Sequence, residues 1–142
     1  MMLVFLAGVA GCCATTPSLT LPDAHGAQRS TLEAVLQQNP LADGQNIRAV
    51  ALGQTAALSY HLVQIRDREP PHIHATHDLA VTLLRGAGTL YIRGIPHDMR
   101  AGDVAVGPRG TPHYFVNTQS TPAAAFVTFV PPYDGKDQVP AQ

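Results

Sequence analysis

Short apolar stretches alternate with Gly- and Pro-marked breaks from Ile47 to the C-terminal third of the chain. The runs at 47–52, 57–66, 72–74, 79–84, 89–93, 103–106, 113–116 and 123–130 are each of strand length. Breaks fall at Gly53, Pro70-Pro71, Gly86, Gly88, Gly94, Gly102, Pro108, Gly110 and Pro112. Many short strands at regular spacing predict an all-β sandwich or small barrel. Ahead of them, Ser30-Thr31-Leu32-Glu33 has the form of a capping box before Leu32, Val35 and Leu36. It predicts a short helix over 31–38, stopped by Asn39-Pro40 and lying on the outside of the β domain. The tail 132–142 is polar, and its Asp134-Gly135-Lys136-Asp137 stretch reads as a surface turn near a frayed end.

The N-terminus has a different pattern. Residues 1–9 are an apolar run, too short to span a bilayer at about 20 residues. Small residues and a cysteine follow, as Val9-Ala10-Gly11-Cys12. This resembles the lipobox of bacterial lipoproteins, in which the cysteine thiol takes the lipid after cleavage. The expectation is a signal peptide over 1–11, lipidation at Cys12 and a Thr- and Pro-rich tether over 12–28. A helical segment over 29–46, a β domain over 47–131 and the tail complete the organisation. Because Cys13, not Asp, follows Cys12, the resemblance implies an outer-membrane lipoprotein facing the periplasm. Adjacent cysteines seldom bridge each other, so no stapling disulfide is expected.

Composition narrows the function. The 142 residues carry nine basic and ten acidic side chains, and only 13% are charged against a typical ~25%. No basic face for nucleic acid is available from such a balance. Histidine is the exception, with seven residues, six of them between positions 61 and 113. His72-Ile73-His74 places two imidazoles on one face of a strand. With His113 from a later strand and His77 or Asp78 from a turn between, they form a candidate site for a divalent transition metal. His61 reads as a wall residue, His97 as solvated, and His25 as part of the tether. Of the arginines, only Arg66 is a candidate for substrate contact. No Ser/His/Asp arrangement, phosphate-binding Gly loop or nucleotide fingerprint supplies other chemistry.

Gly102, Pro108, Gly110, His113 and Asn117 match G(x5)PxG(x2)H(x3)N at every defined position. This resembles the second motif of the cupins. Against the first, G(x5)HxH(x3–4)E(x6)G, the residues His72, His74 and Gly86 match. Arg66 stands at the first glycine, and Leu79 stands where a ligating Glu is expected. The chain is thus identified as a small single-domain cupin of type-2 character: an all-β jelly-roll barrel preceded by a short helix. The resemblance implies His72, His74 and His113 as metal ligands. His77, with Asp78 as its alternative, is the candidate replacement for the missing Glu. Fe, Mn, Ni, Cu and Zn all suit such an N/O site.

Cupins of this size include dioxygenases and isomerases, and three His without the Glu resemble thiol-oxidising iron cupins. Such an enzyme would take a small ligand in an interior lined by Leu79, Val81, Leu83, Phe115 and Phe126. A non-catalytic module that binds a small molecule or metal is the alternative. A homodimer paired through sheet edges is the family default, and the membrane would be reached only through the lipid anchor.

Overall fold

The computed structural model describes residues 16–23 and 25–141. Val9 to Cys12, and with them the expected signal peptide and lipidation site, lie outside the described residues. The first described element departs from the expected tether. β1 (Ser18–Asp23) and β2 (Gly26–Thr31) form an antiparallel hairpin with Ser18 opposite Thr31. Leu19 anchors it by burial against the domain.

The helix α1 (Leu32–Gln38) follows directly. Thr31, not Ser30, is its N-cap, and the Thr31 hydroxyl accepts from the Ala34 N–H. Two turns are too few to persist alone in water. Leu32, Val35 and Leu36 at i, i+3 and i+4 supply the missing stability by packing on Leu62 and Ala124. At its C-terminal end the Asn39 carbonyl accepts from Gln64 Nε2 at 2.7 Å, tying helix to sheet.

Two five-stranded sheets make the domain. One contains β3 (Ile47–Gln54), β4 (Ser59–Ile65), β6 (Asp78–Arg85), β9 (Val104–Gly107) and β11 (Ala123–Val130), in the order β3-β4-β11-β6-β9. The other contains β5 (His72–His74), β7 (Ala87–Ile92), β8 (Ile95–Arg100), β10 (His113–Asn117) and β12 (Gln138–Pro140), in the order β12-β5-β10-β7-β8. All pairings are antiparallel. This is the jelly roll that the resemblance implies. β8 and β12 are additions to the expected strands. β8 holds a Pro and two charges, and β12 is only three exposed residues, Gln-Val-Pro, so apolar alternation marks neither.

The period-2 rule sorts the side chains. On β11, Ala123, Ala125, Val127 and Phe129 face the interior, joined by Ile65, Leu79, Leu83, Met99 and Phe115. Leu62, Ala124 and Phe126 face the other way, into the cluster under α1. Phe126 is therefore an outer-face residue stacked near Tyr60, not a wall of the interior. Phe129 takes the place expected for it.

Candidate metal centre

β5 and β10 are antiparallel neighbours, with His113 directly opposite His72. His74, two residues along β5, faces the same side. The three rings lie with centroids 4.5 Å (His72–His113), 5.2 Å (His72–His74) and 5.6 Å (His74–His113) apart. One nitrogen from each ring falls within 4.8 Å of the others, the spacing of a metal-ligand group.

Hydrogen bonds decide which nitrogens these are. His72 Nδ1–H donates to the Pro70 carbonyl at 2.9 Å, and His113 Nδ1–H to the Thr111 carbonyl at 2.8 Å. His74 Nδ1–H donates to Asp137 Oδ1 at 3.0 Å. In each case an acceptor-only oxygen holds the Nδ1 proton, so the lone pair of the neutral ring sits on Nε2. Burial lowers the pKa of all three below the ordinary imidazole value, and the neighbouring histidines lower it further. The rings are thus neutral with donor nitrogens free, the state a metal requires.

The second motif supplies the scaffold. The Gly110 N–H donates to the His74 carbonyl at 2.7 Å, in a turn where Gly110 has φ +73°. Asn117 Nδ2 donates to the carbonyls of Arg66, Gln119 and Thr121. It fixes the chain just beyond His113's strand.

The two candidates for a fourth ligand are placed elsewhere. His77 is buried beneath the C-terminal segment and does not line the cavity, and both its nitrogens are taken. Nδ1–H donates to Asp137 Oδ2 at 2.5 Å and Nε2–H to the Pro132 carbonyl at 3.1 Å. Two acceptors require two protons, so the ring is an imidazolium. Burial opposes that charge, but the bonds to Asp137 and Pro132 outweigh it and raise the pKa. A protonated ring has no lone pair for a metal. Asp78 points to solvent, where Arg109 binds it through its backbone N–H, Nε and Nη2. These bonds bring the Asp78 carboxyl down to about 2. Neither residue belongs to the three-histidine group.

Of the remaining candidates, Arg66 reaches the carbonyls of Gln45 and Ala42 and braces the 42–46 loop. His61 is buried on the interior face, bonded to Ser59 Oγ and edge-on to Phe129 and Tyr133. His25 and His97 are exposed.

Two functional residues were missed in the sequence. Asp137, read as part of a surface turn, is only 7% exposed and bridges His74 and His77. Its burial opposes ionisation, but bonds from His74, His77 and the Thr76 N–H prevail and push its pKa down to about 2. Glu69 lines the same cavity as the three histidines. Its Oε2 accepts from the Phe115 N–H at 2.9 Å, while its own N–H donates to the Phe115 carbonyl at 2.9 Å. Burial raises the Glu69 pKa despite the Phe115 bond and nearby His113. Its place three residues before His72 was the available signal; Asp137 had none but a polar turn.

The cavity is about 90 Å³. Its walls are Leu79, Leu83, Met99, Phe115, Val127 and Phe129 among other apolar side chains, with Glu69 and the three histidines as the polar end. Leu79 occupies the position of the expected Glu and extends the apolar wall.

Residues 60–129 match the Cupin domain family. The chain belongs to the cupin superfamily. An uncharacterised protein of Aquifex aeolicus is 41% identical over 95 residues, 67% of this chain and 78% of that protein. Among solved cupin-like structures, KdgF from a Halomonas species is 25% identical with a TM-score of 0.59, covering 63% of this chain and 82% of its own. A cupin-superfamily sugar phosphate isomerase from Silicibacter pomeroyi is 27% identical with a TM-score of 0.54, covering 60% and 59%.

Proposed function

We propose that this cupin holds one divalent transition metal through Nε2 of His72, His74 and His113, and uses it for proton-transfer chemistry of the isomerase type on a small organic molecule. The observation that carries the reading is the set of three Nδ1 protons anchored on oxygen, which leaves three convergent lone pairs. When bound there, a divalent metal supplies Lewis acidity toward an oxygen of the ligand. Three protein ligands leave coordination positions open for that oxygen.

The chain's own groups define the rest. The apolar wall excludes water and favours a ligand with a small apolar part. Glu69 shares the cavity and holds its proton more tightly than a solvated carboxyl, which suits a general acid–base role. The likeness to a sugar phosphate isomerase supports isomerisation, but not that protein's substrate. No Lys or Arg lines the cavity among the described residues, so an uncharged hydroxy-carbonyl compound fits better than a phosphate ester. The dioxygenase reading rests on the three-imidazole ligand set alone.

Deuterium exchange tests this. In D2O, the metal-loaded protein should exchange the carbon-bound proton beside the carbonyl of small hydroxy-carbonyl compounds, read by NMR. Glu69→Gln should keep the metal and lose about 10²–10⁴-fold of the exchange rate. Metal binding without exchange across such a panel would make the protein a binding module. Undiminished exchange in the variant would remove Glu69 from the chemistry.

The proposal extends to an envelope location through a lipid on Cys12, supported by the Val9-Ala10-Gly11-Cys12 pattern. Palmitate labelling that survives Cys12→Ser would overturn it.

A further inference from the structure

His74 differs from its two partners in what holds it. The Nδ1 protons of His72 and His113 rest on carbonyls two residues away in their own chain segments. That of His74 rests on a side chain 63 residues later, beyond the last strand of the barrel proper. The C-terminal segment brings that side chain back by several attachments. The Tyr133 N–H donates to Ser59 Oγ at 2.8 Å, and the Tyr133 ring stacks on Phe129 at 4.5 Å between centroids. β12 then pairs with β5, with Gln138 opposite His74 and Pro140 opposite His72. Backbone bonds from Ala75 N–H to the Asp137 carbonyl and from Ala141 N–H to the Pro71 carbonyl close each end.

The carboxylate is fully engaged. Oδ1 serves His74; Oδ2 accepts from His77 Nδ1–H and from the Thr76 N–H at 3.3 Å and hydroxyl at 3.4 Å. His77 and Thr76 thus hold the carboxylate, and the carboxylate holds His74. A carboxylate on the far nitrogen of an imidazole fixes its tautomer and orientation and makes the metal-facing nitrogen a stronger donor. It also brings a negative charge to a set of three neutral ligands, beside a Glu69 carboxyl that burial pushes toward its protonated form.

We infer that Asp137 is a positioning residue of the metal centre, placed by the C-terminal strap β12 and clamped by His77 and Thr76 so that His74 presents Nε2 to the metal. The inference rests on the three-histidine centre proposed above and assigns His77 a role one step behind the ligands.

The test is Zn(II) affinity by chelator competition on the full chain, paired with the absorption spectrum of the Co(II)-loaded protein. Asp137→Asn keeps size and packing but removes the charge. It should bind Zn(II) about 10–100-fold more weakly and shift the Co(II) d–d bands. Asp137→Glu, which restores the charge, should recover part of the affinity. A merely structural role would lower the melting temperature of Asp137→Asn and leave both affinity and spectrum as in the wild type; that result overturns the inference. Should the variant not fold, the Zn(II)-loaded wild type still decides. Nitrogen-15 correlation spectra should show His74 bound through Nε2, with a downfield, exchange-protected proton on Nδ1. A His74 bound through Nδ1, or with a freely exchanging Nδ1 proton, contradicts the inference. A wild type that takes no Zn(II) or Co(II) overturns the metal centre itself.

Discussion

Single protons organise this site. Three imidazoles are kept neutral by burial and turned by oxygen acceptors, while a fourth, His77, is kept charged by two acceptors. The two kinds pull stability in opposite directions with pH. His72, His74 and His113 have folded pKa values below the unfolded value of about 6.5, so the unfolded chain binds more protons as pH falls under 6.5 and the fold loses stability. The raised pKa of His77 gives a contribution that is full below about 6.5 and is lost as pH rises through its folded value. The metal-free protein should therefore melt highest near pH ~6.5 and lower on either side. Calorimetry across pH 5–9 checks it, and His77→Gln should flatten the alkaline side alone. Buried His61 adds to the acid-side loss and Glu69, whose pKa burial raises, opposes it, so a melting temperature level from pH 6.5 to 5 in Glu69→Gln would show that the buried rings do not sit neutral.

At the scale of elements, legibility followed the strength of the local pattern. β11 alternates Ala, Ala, Val and Phe inward over eight residues, and both its ends were predictable. The capped helix was equally plain, with its cap displaced by one residue. β2, β8 and β12 carry little apolar alternation and draw their order from partners, whereas β1 alternates over Ser18-Leu19-Thr20-Leu21 but lies in the stretch expected to be a tether. The same division separates His72, His74 and His113, marked by motif spacing, from Asp137, whose contact is made across 63 residues by a strap. The role of His77 turned on a carboxylate that no local pattern could bring to it. Function and scaffold are separable at this scale. Leu62 is fully buried between β4 and α1, on the face of the sheet away from the histidines. Leu62→Ala should cost about 2–5 kcal/mol of unfolding free energy in denaturant titration and leave Zn(II) affinity unchanged. A matching loss of affinity would show that the outer helix layer also sets the site.

The whole molecule is a small jelly roll that concentrates its polar chemistry at one end of an apolar interior. The buried carboxylate of Asp137 is paired with His74 and His77. The sheets supply two adjacent strands at fixed spacing, and the strap supplies the charge that holds one ligand from outside the barrel. Among the described residues no helix is long and apolar enough to cross a membrane. The central claim is that three imidazoles hold one metal ion. X-ray absorption spectroscopy of the Zn(II)-loaded protein, with elemental analysis of the same sample, tests it most directly. The expected result is one Zn(II) per chain with three imidazole scatterers near 2.0–2.1 Å, the usual Zn–N distance, falling to two or to no bound metal in His113→Ala. Substoichiometric metal, or a wild-type shell without imidazole scattering, would contradict it.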